Sequence, residues 1–186
     1  MRRLPLFSFL GPVLSAEECD RVIALAEATT LRPGTVEGPE KVDAGLRHSS
    51  ITFLPPGGEA AWLYDKVLKT ALQSNKEVWG FQLDAAEKIQ IARYEKGQHY
   101  IGHLDIGSDG PNALRKLSVV VQLSDPADYE GGDLIFYINS EKLASAPRTR
   151  GEMIIFPSYV LHQAKPVTSG RRYSLANWII GHEPFR

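Results

Sequence analysis

From residue 81 to residue 180 the chain is interrupted every few residues by glycine, proline or a small polar cluster. The pieces between are short and apolar, and several are rich in β-branched residues. This punctuation constrains the fold more than any other feature, because segments of that length fit strands and not stable helices. The spacing predicts strands at 88–94, 117–123, 133–138, 152–156 and 172–180. Ser124-Asp125-Pro126 ends the second, Gly131-Gly132 turns into the third, Pro157 stops the fourth, and Ser169-Gly170 opens the fifth. Gly131-Gly132 reads as a turn and not as a phosphate loop, since no helix follows it.

The first eighty residues have a different texture. Ser15-Ala16-Glu17-Glu18 reads as a capping box, and Val22, Ile23, Leu25 and Ala26 recur at helical spacing after it. That helix is expected to end near Thr29 and Thr30. Residues 31–45 read as a loop, and 47–54 as a strand stopped by Pro55-Pro56-Gly57-Gly58. A second helix is predicted from Glu59 to about Val78, with Leu63, Val67, Leu68, Ala71 and Leu72 on one face. Helices followed by about eight strands predict an α+β, mainly β domain: a small barrel or sandwich braced by N-terminal helices. Helical support is placed at about 15–79 and the β core at about 81–181, within one domain spanning 1–186.

Composition sets the outer bounds. The chain has 186 residues, 43% apolar and 23% charged, which suits one globular domain with a sizeable core. Its net charge of −1 argues against a nucleic-acid partner held by a strong basic field. The single cysteine, Cys19, excludes an intramolecular disulfide and a cysteine zinc site, and favours a reducing, cytoplasmic compartment. The start MRRLPLFSFLGPVLSA loosely resembles a secretory leader, but Pro5, Gly11 and Pro12 interrupt it and the capping box follows, so no cleaved leader is expected. No apolar run is long enough to span a bilayer, so no membrane partner is expected.

The chemistry begins at GHLDIG, residues 102–107. His103 and Asp105 are metal-ligand types two apart, and in an extended strand such a pair faces one way. A pair alone is weak, and His162, in FPSYVLHQAKPV, is the natural third candidate. Two histidines and one carboxylate form the facial triad of non-haem iron(II) oxygenases, which leaves three octahedral positions free. In SGRRYSLANWI, Arg172, Ser174, Ala176 and Trp178 share one strand face. Arg172 and Ser174 are suited to hold a carboxylate together, and Arg172 is preferred over Arg171 because it shares that face with Ser174. His48, His99 and His182 are read as solvated or backbone-bonded, and Trp62, Trp79 and Trp178 as core. Arg47, Arg115 and Lys116 are candidates to meet substrate. Residues 106–116 are read as a mobile substrate cover, and 31–45 as a second one.

The ordered set of HLD, LSDPADYEGGDL and RGEMIIFPSYVLHQAKPVTSGRRYSLANW resembles the iron(II)- and 2-oxoglutarate-dependent dioxygenases. It is most similar to their prolyl-4-hydroxylase-like branch over about 88–178, and the helical start LSAEECDRVIALAE is similar to that branch too. The resemblance implies a double-stranded β-helix core. It implies Fe(II) held by His103, Asp105 and His162, with 2-oxoglutarate and O2 as co-substrates and ascorbate as an accessory reductant. Arg172 matches the residue that binds the distal carboxylate of 2-oxoglutarate, Ser174 the small hydroxyl residue two places on, and Tyr94 a tyrosine that contacts the co-substrate. Gln122 stands where some relatives carry a tyrosine, a further candidate contact. The implied reaction is hydroxylation of a prolyl residue in a peptide or protein. A free amino acid or other small molecule is the alternative substrate, and a cupin-like or zinc hydrolase the alternative chemistry.

Overall fold

The computed structural model describes residues 5–36, 41–139 and 141–185. Residues 1–4 of the leader-like start, and 37–40 within the second expected cover, lie outside the described residues. Helix α1 (Ala16–Glu27) begins where the capping box predicts. The Glu18 amide donates to Ser15 Oγ at 3.2 Å, and the Ser15 amide donates to the Glu18 carboxylate at 2.8 Å. Helix α2 (Ala61–Val78) follows a 3-10 turn at Gly58–Ala60, two residues later than its predicted start. Leu63, Val67 and Ala71 are fully buried, as expected, but Leu72 is half exposed. It lies nine residues after Leu63, two and a half turns on, so it points to the opposite side. Among the described residues no helix is long and apolar enough to cross a membrane.

In chain order the strands begin with β1 (Ser8–Pro12), β2 (Arg32–Pro33), β3 (Arg47–His48), β4 (Ser50–Leu54) and β5 (Ala85–Ala86). Next come β6 (Ile89–Tyr94), β7 (His99–His103), β8 (Arg115–Gln122), β9 (Tyr129–Gly131) and β10 (Leu134–Ile138). The last are β11 (Glu141–Ser145), β12 (Glu152–Pro157), β13 (His162–Ala164), β14 (Val167–Gly170) and β15 (Arg172–Ile180). The major sheet runs β1-β12-β8-β15-β6-β4-β2, with β5 pairing β15. The minor sheet runs β11-β10-β13-β7-β3, and β14 pairs β9. All of these pairings are antiparallel. Two sheets facing one another make the expected double-stranded β-helix core. The strand predicted over 47–54 is in fact two strands. Arg47–His48 pairs with β7 in the minor sheet, and Ser50–Leu54 pairs with β6 in the major sheet. The chain therefore changes sheets at Ser49.

The alternation of β15 shows how the fold divides its residues. Tyr173, Leu175 and Ile179 join a core with Val22, Leu63 and Val67 of the two helices. Arg172, Ser174, Ala176 and Trp178 line a cavity bounded by residues of both sheets. Apolar burial on the helix side thus anchors one face and leaves the other for chemistry. One turn is unusually tight. Gly151 has φ +79°, and its carbonyl accepts the Val13 amide at 2.8 Å. A Cβ there would overlap the Leu14 carbonyl oxygen. Gly151→Ala is expected to cost about 2–4 kcal/mol, from left-handed strain plus backbone displacement. A urea melt checks it; an unchanged midpoint would contradict this packing.

Candidate active site

His103 is the last residue of β7 and His162 the first of β13, and the register pairs them directly across the minor sheet. Asp105 follows two residues after β7. Its amide and that of Ile106 donate to the Ser158 carbonyl at 3.0 and 3.1 Å, which pins the turn beneath the ligand set. One donor atom from each of the three side chains lies within 4.8 Å of the others. His103 Nε2 is 3.7 Å from one Asp105 oxygen, and His162 Nε2 is 3.5 Å from the other.

Local backbone contacts settle the ring orientations. His103 Nδ1 donates to the Ile101 carbonyl at 2.8 Å, and His162 Nδ1 to the Val160 carbonyl at 2.9 Å. A carbonyl only accepts, so each Nδ1 carries the proton. Burial, and then His162, push His103 down to about 3, so its Nε2 presents a lone pair. For Asp105 burial acts upward, but His162 and then His103 outweigh it and hold the carboxyl below the usual range. The Asp105 oxygens and the His103 lone pair converge with no proton between them, an arrangement that a divalent cation relieves. The separations lie close to the roughly 3 Å expected for adjacent donors on one octahedral ion. The residues fit a metal.

Deeper in the same space sits Arg172, 2% exposed. Its Nη2 donates to Gln122 Oε1 at 2.8 Å and its Nη1 to Ser174 Oγ at 3.4 Å. Its Nε, also buried, has no partner, and among the described residues no carboxylate pairs with it. A buried guanidinium with only neutral partners is costly unless an anion joins it. Tyr94 is its cross-strand partner, with the guanidinium 5.6 Å from the ring centre. Tyr94, Ser174 and Arg172 line an inner cavity of about 60 Å³ together with the three candidate ligands. Gln122 does not line it. Its amide is spent on Arg172 and on the Pro147 carbonyl at 3.0 Å, so it orients the guanidinium.

An outer cavity of about 540 Å³ opens beside the triad, lined by Arg47, Arg115 and Trp178 among others. Trp178 was expected in the core, but it faces this space and the Arg115 guanidinium lies 4.0 Å from its ring centre. Its place on Arg172's face was the signal for this. Lys116 turns away and sits 4.0 Å from the Phe185 ring. His99 and His182 stay outside the triad: His99 Nδ1 contacts the Gly97 carbonyl at 3.2 Å, and His182 lies 3.4 Å from Asp84. Tyr100, which the sequence did not single out, stacks on His103 with ring centres 3.5 Å apart. Burial pushes its hydroxyl up to about 12, so it stays protonated at the wall. The loop expected as a cover folds on itself through a 3-10 turn at Pro111–Leu114, with the Gly107 amide donating to the Asn112 carbonyl at 3.2 Å.

Comparison with known proteins agrees with this arrangement. The 2OG-Fe(II) oxygenase superfamily matches residues 89–180. A PKHD-type hydroxylase from Synechococcus sp. (strain CC9605) is 32% identical over 127 residues, covering 68% of this chain and 57% of that protein. The chain spans about half the length of the curated relatives it matches. A prolyl-4-hydroxylase from Pseudomonas putida superposes with a TM-score of 0.74 at 23% identity, covering 95% of this chain and 93% of that one. A prolyl hydroxylase from Trichoplax adhaerens, in complex with a hypoxia inducible factor oxygen degradation domain peptide fragment, gives a TM-score of 0.76 at 21% identity, covering 94% and 83%. With its site, its family match and its sheets all in agreement, the chain belongs to the 2OG-Fe(II) oxygenase superfamily and carries the fold of its prolyl-4-hydroxylase-like branch.

Proposed function

We propose that the protein hydroxylates a prolyl residue of a peptide or protein, using Fe(II), 2-oxoglutarate and O2 and releasing succinate and CO2. His103, Asp105 and His162 hold the iron through Nε2, one carboxylate oxygen and Nε2. Arg172 receives the far carboxylate of 2-oxoglutarate, flanked by Ser174 and Tyr94, with Gln122 fixing the guanidinium plane. With iron and 2-oxoglutarate bound, oxidative decarboxylation of 2-oxoglutarate by O2 would place one oxygen atom of O2 in succinate and the other in the substrate C–H bond. The protein's own share is placement. The β7–β13 pair fixes the ligand rings, buried β15 fixes the anion clamp, and the outer cavity receives the residue to be oxidised. Ascorbate serves as the accessory reductant, and the single buried thiol, Cys19, suits a reducing cytoplasm.

The observation that carries this reading is the buried Arg172, without a carboxylate partner, in the same inner cavity as the three convergent donors. A zinc hydrolase using the triad has no use for such an anion site. Peptide substrate fits the open outer cavity and the peptide-bound Trichoplax neighbour. The test is mass spectrometry of proline-containing peptides incubated with protein, Fe(II), ascorbate, O2 and 2-oxoglutarate. One added oxygen per succinate is the expected result. Oxygen entering only free amino acids would move the substrate to the small-molecule class, and no added oxygen in either would sink the hydroxylase reading.

A further inference from the structure

Arg47 brings to the site a positive charge that the described residues do not balance. The side chain is 7% exposed. Nε donates to Ser49 Oγ at 3.0 Å, Nη1 to the Thr35 carbonyl at 3.2 Å, and Nη2 to Gln90 Oε1 at 2.6 Å. All three acceptors are neutral, and a guanidinium has five N–H groups, so two remain to be used. The other cations of the site are accounted for. Arg115 makes a two-pronged pair with Glu87 at 2.6 and 2.7 Å. Arg172 is the clamp for 2-oxoglutarate. Among the described residues of the site, Arg47 alone is left charged, buried and without an anion.

Its position says which ligand would supply that anion. Arg172 lines the inner cavity only, whereas Arg47 lines both the inner and the outer one, as His103 and Asp105 do. Its guanidinium lies 4.8 Å from the centre of the Tyr100 ring, the same ring that stacks on His103. Arg47 therefore stands one side chain away from a candidate iron ligand, on the side where substrate enters. The fold also keeps space for it. A Cβ on Gly34 would fall 2.6 Å from Arg47 Nε and would overlap Ser49 Oγ. The bare backbone at Gly34 lets the guanidinium lie flat in the wall. Its neutral partners fix the plane and leave the charge unspent, which is how an arginine is set up to read a carboxylate.

We infer that Arg47 reads an acidic side chain of the substrate, next to the residue that is oxidised. This rests on the hydroxylase reading above and narrows its substrate class to acidic peptides. Two synthetic peptide pools test it, each with a central proline flanked by Asp or Glu in one pool and by Asn or Gln in the other. Both are offered to the full chain with Fe(II) and 2-oxoglutarate, and the peptide-dependent rise in succinate is read. The acidic pool is expected to give about tenfold or more over the amide pool in the wild type, since discrimination by a desolvated charge pair reaches that size. The ratio is expected to fall to about one in Arg47→Gln and to remain partly elevated in Arg47→Lys, which keeps the charge without the fork. A ratio measures preference and is insensitive to a general loss of rate. Equal responses to the two pools, no response to either, a ratio that survives in Arg47→Gln, or an effect of Arg47→Gln confined to the KM for 2-oxoglutarate would each overturn the inference. Succinate formed by the wild type without peptide separates the cases: its presence keeps the hydroxylase reading standing when the acidic preference fails, and its absence means that reading has failed first.

Discussion

Arg172→Ala is expected to raise the KM for 2-oxoglutarate by roughly 30-fold to a few thousand-fold, because truncating one partner of a desolvated charge pair costs about 2–5 kcal/mol. The size of the effect follows from burial. The guanidinium is 2% exposed, so water can neither screen its pairing with a carboxylate nor replace the lost cation. Metal affinity is expected to change little, since Arg172 touches none of the three ligands and bonds to Gln122 and Ser174 instead. Stability gives a second readout. In the wild type, 2-oxoglutarate with Mn(II) in place of iron raises the melting temperature, because a ligand that binds only the folded state stabilises it by mass action. In Arg172→Ala the metal still raises it, and 2-oxoglutarate at the same concentration adds much less than in the wild type. Equal loss of both responses would make Arg172 a structural residue.

His162→Ala is expected to abolish succinate formation to below about one part in a hundred and to weaken metal binding by roughly tenfold to a hundredfold or more. The ring is buried and spaced 3.5 Å from an Asp105 oxygen, so its loss removes a donor that no neighbour can replace. Of the other described histidines, His103 already belongs to the set, His99 and His182 contact the Gly97 carbonyl and Asp84, and His48 pairs with His99 at the edge strand β3. The fold is expected to survive. β13 keeps its pairing to β10 and β7 through backbone bonds, and the neighbouring apolar cluster of Phe136, Phe156 and Val160 remains. A circular dichroism spectrum like the wild type's, with loss of metal binding, is the expected pairing of results.

Much of the fold was legible because its signals are local. A capping box reads out over four residues, and the period-two pattern of 172–180 gives a strand with the bounds found, Arg172–Ile180. The three candidate ligands were legible as residue types. Their convergence was expected only through the family resemblance and not from the residues themselves, since it depends on the β7–β13 register, a pairing between segments about sixty residues apart. What the sequence left unread is non-local in the same way. The strand His99–His103 carries no apolar alternation and takes its place from its partners β13 and β3. Arg115 and Lys116 are adjacent on β8 and so must point to opposite faces, which brings only one of them to the site. Arg47 becomes buried because the chain crosses between sheets two residues later. Trp178 was read as core, although the alternation that places Arg172 places it too.

The central claim is that His103, Asp105 and His162 together hold an iron that works with 2-oxoglutarate. Succinate measured after incubating the metal-free protein with Fe(II), O2 and 2-oxoglutarate tests it most directly. The account predicts succinate only when metal and co-substrate are both present, and none from His162→Ala. Succinate from that variant at the wild-type rate, or ester or amide cleavage that needs zinc and no oxygen, would contradict it.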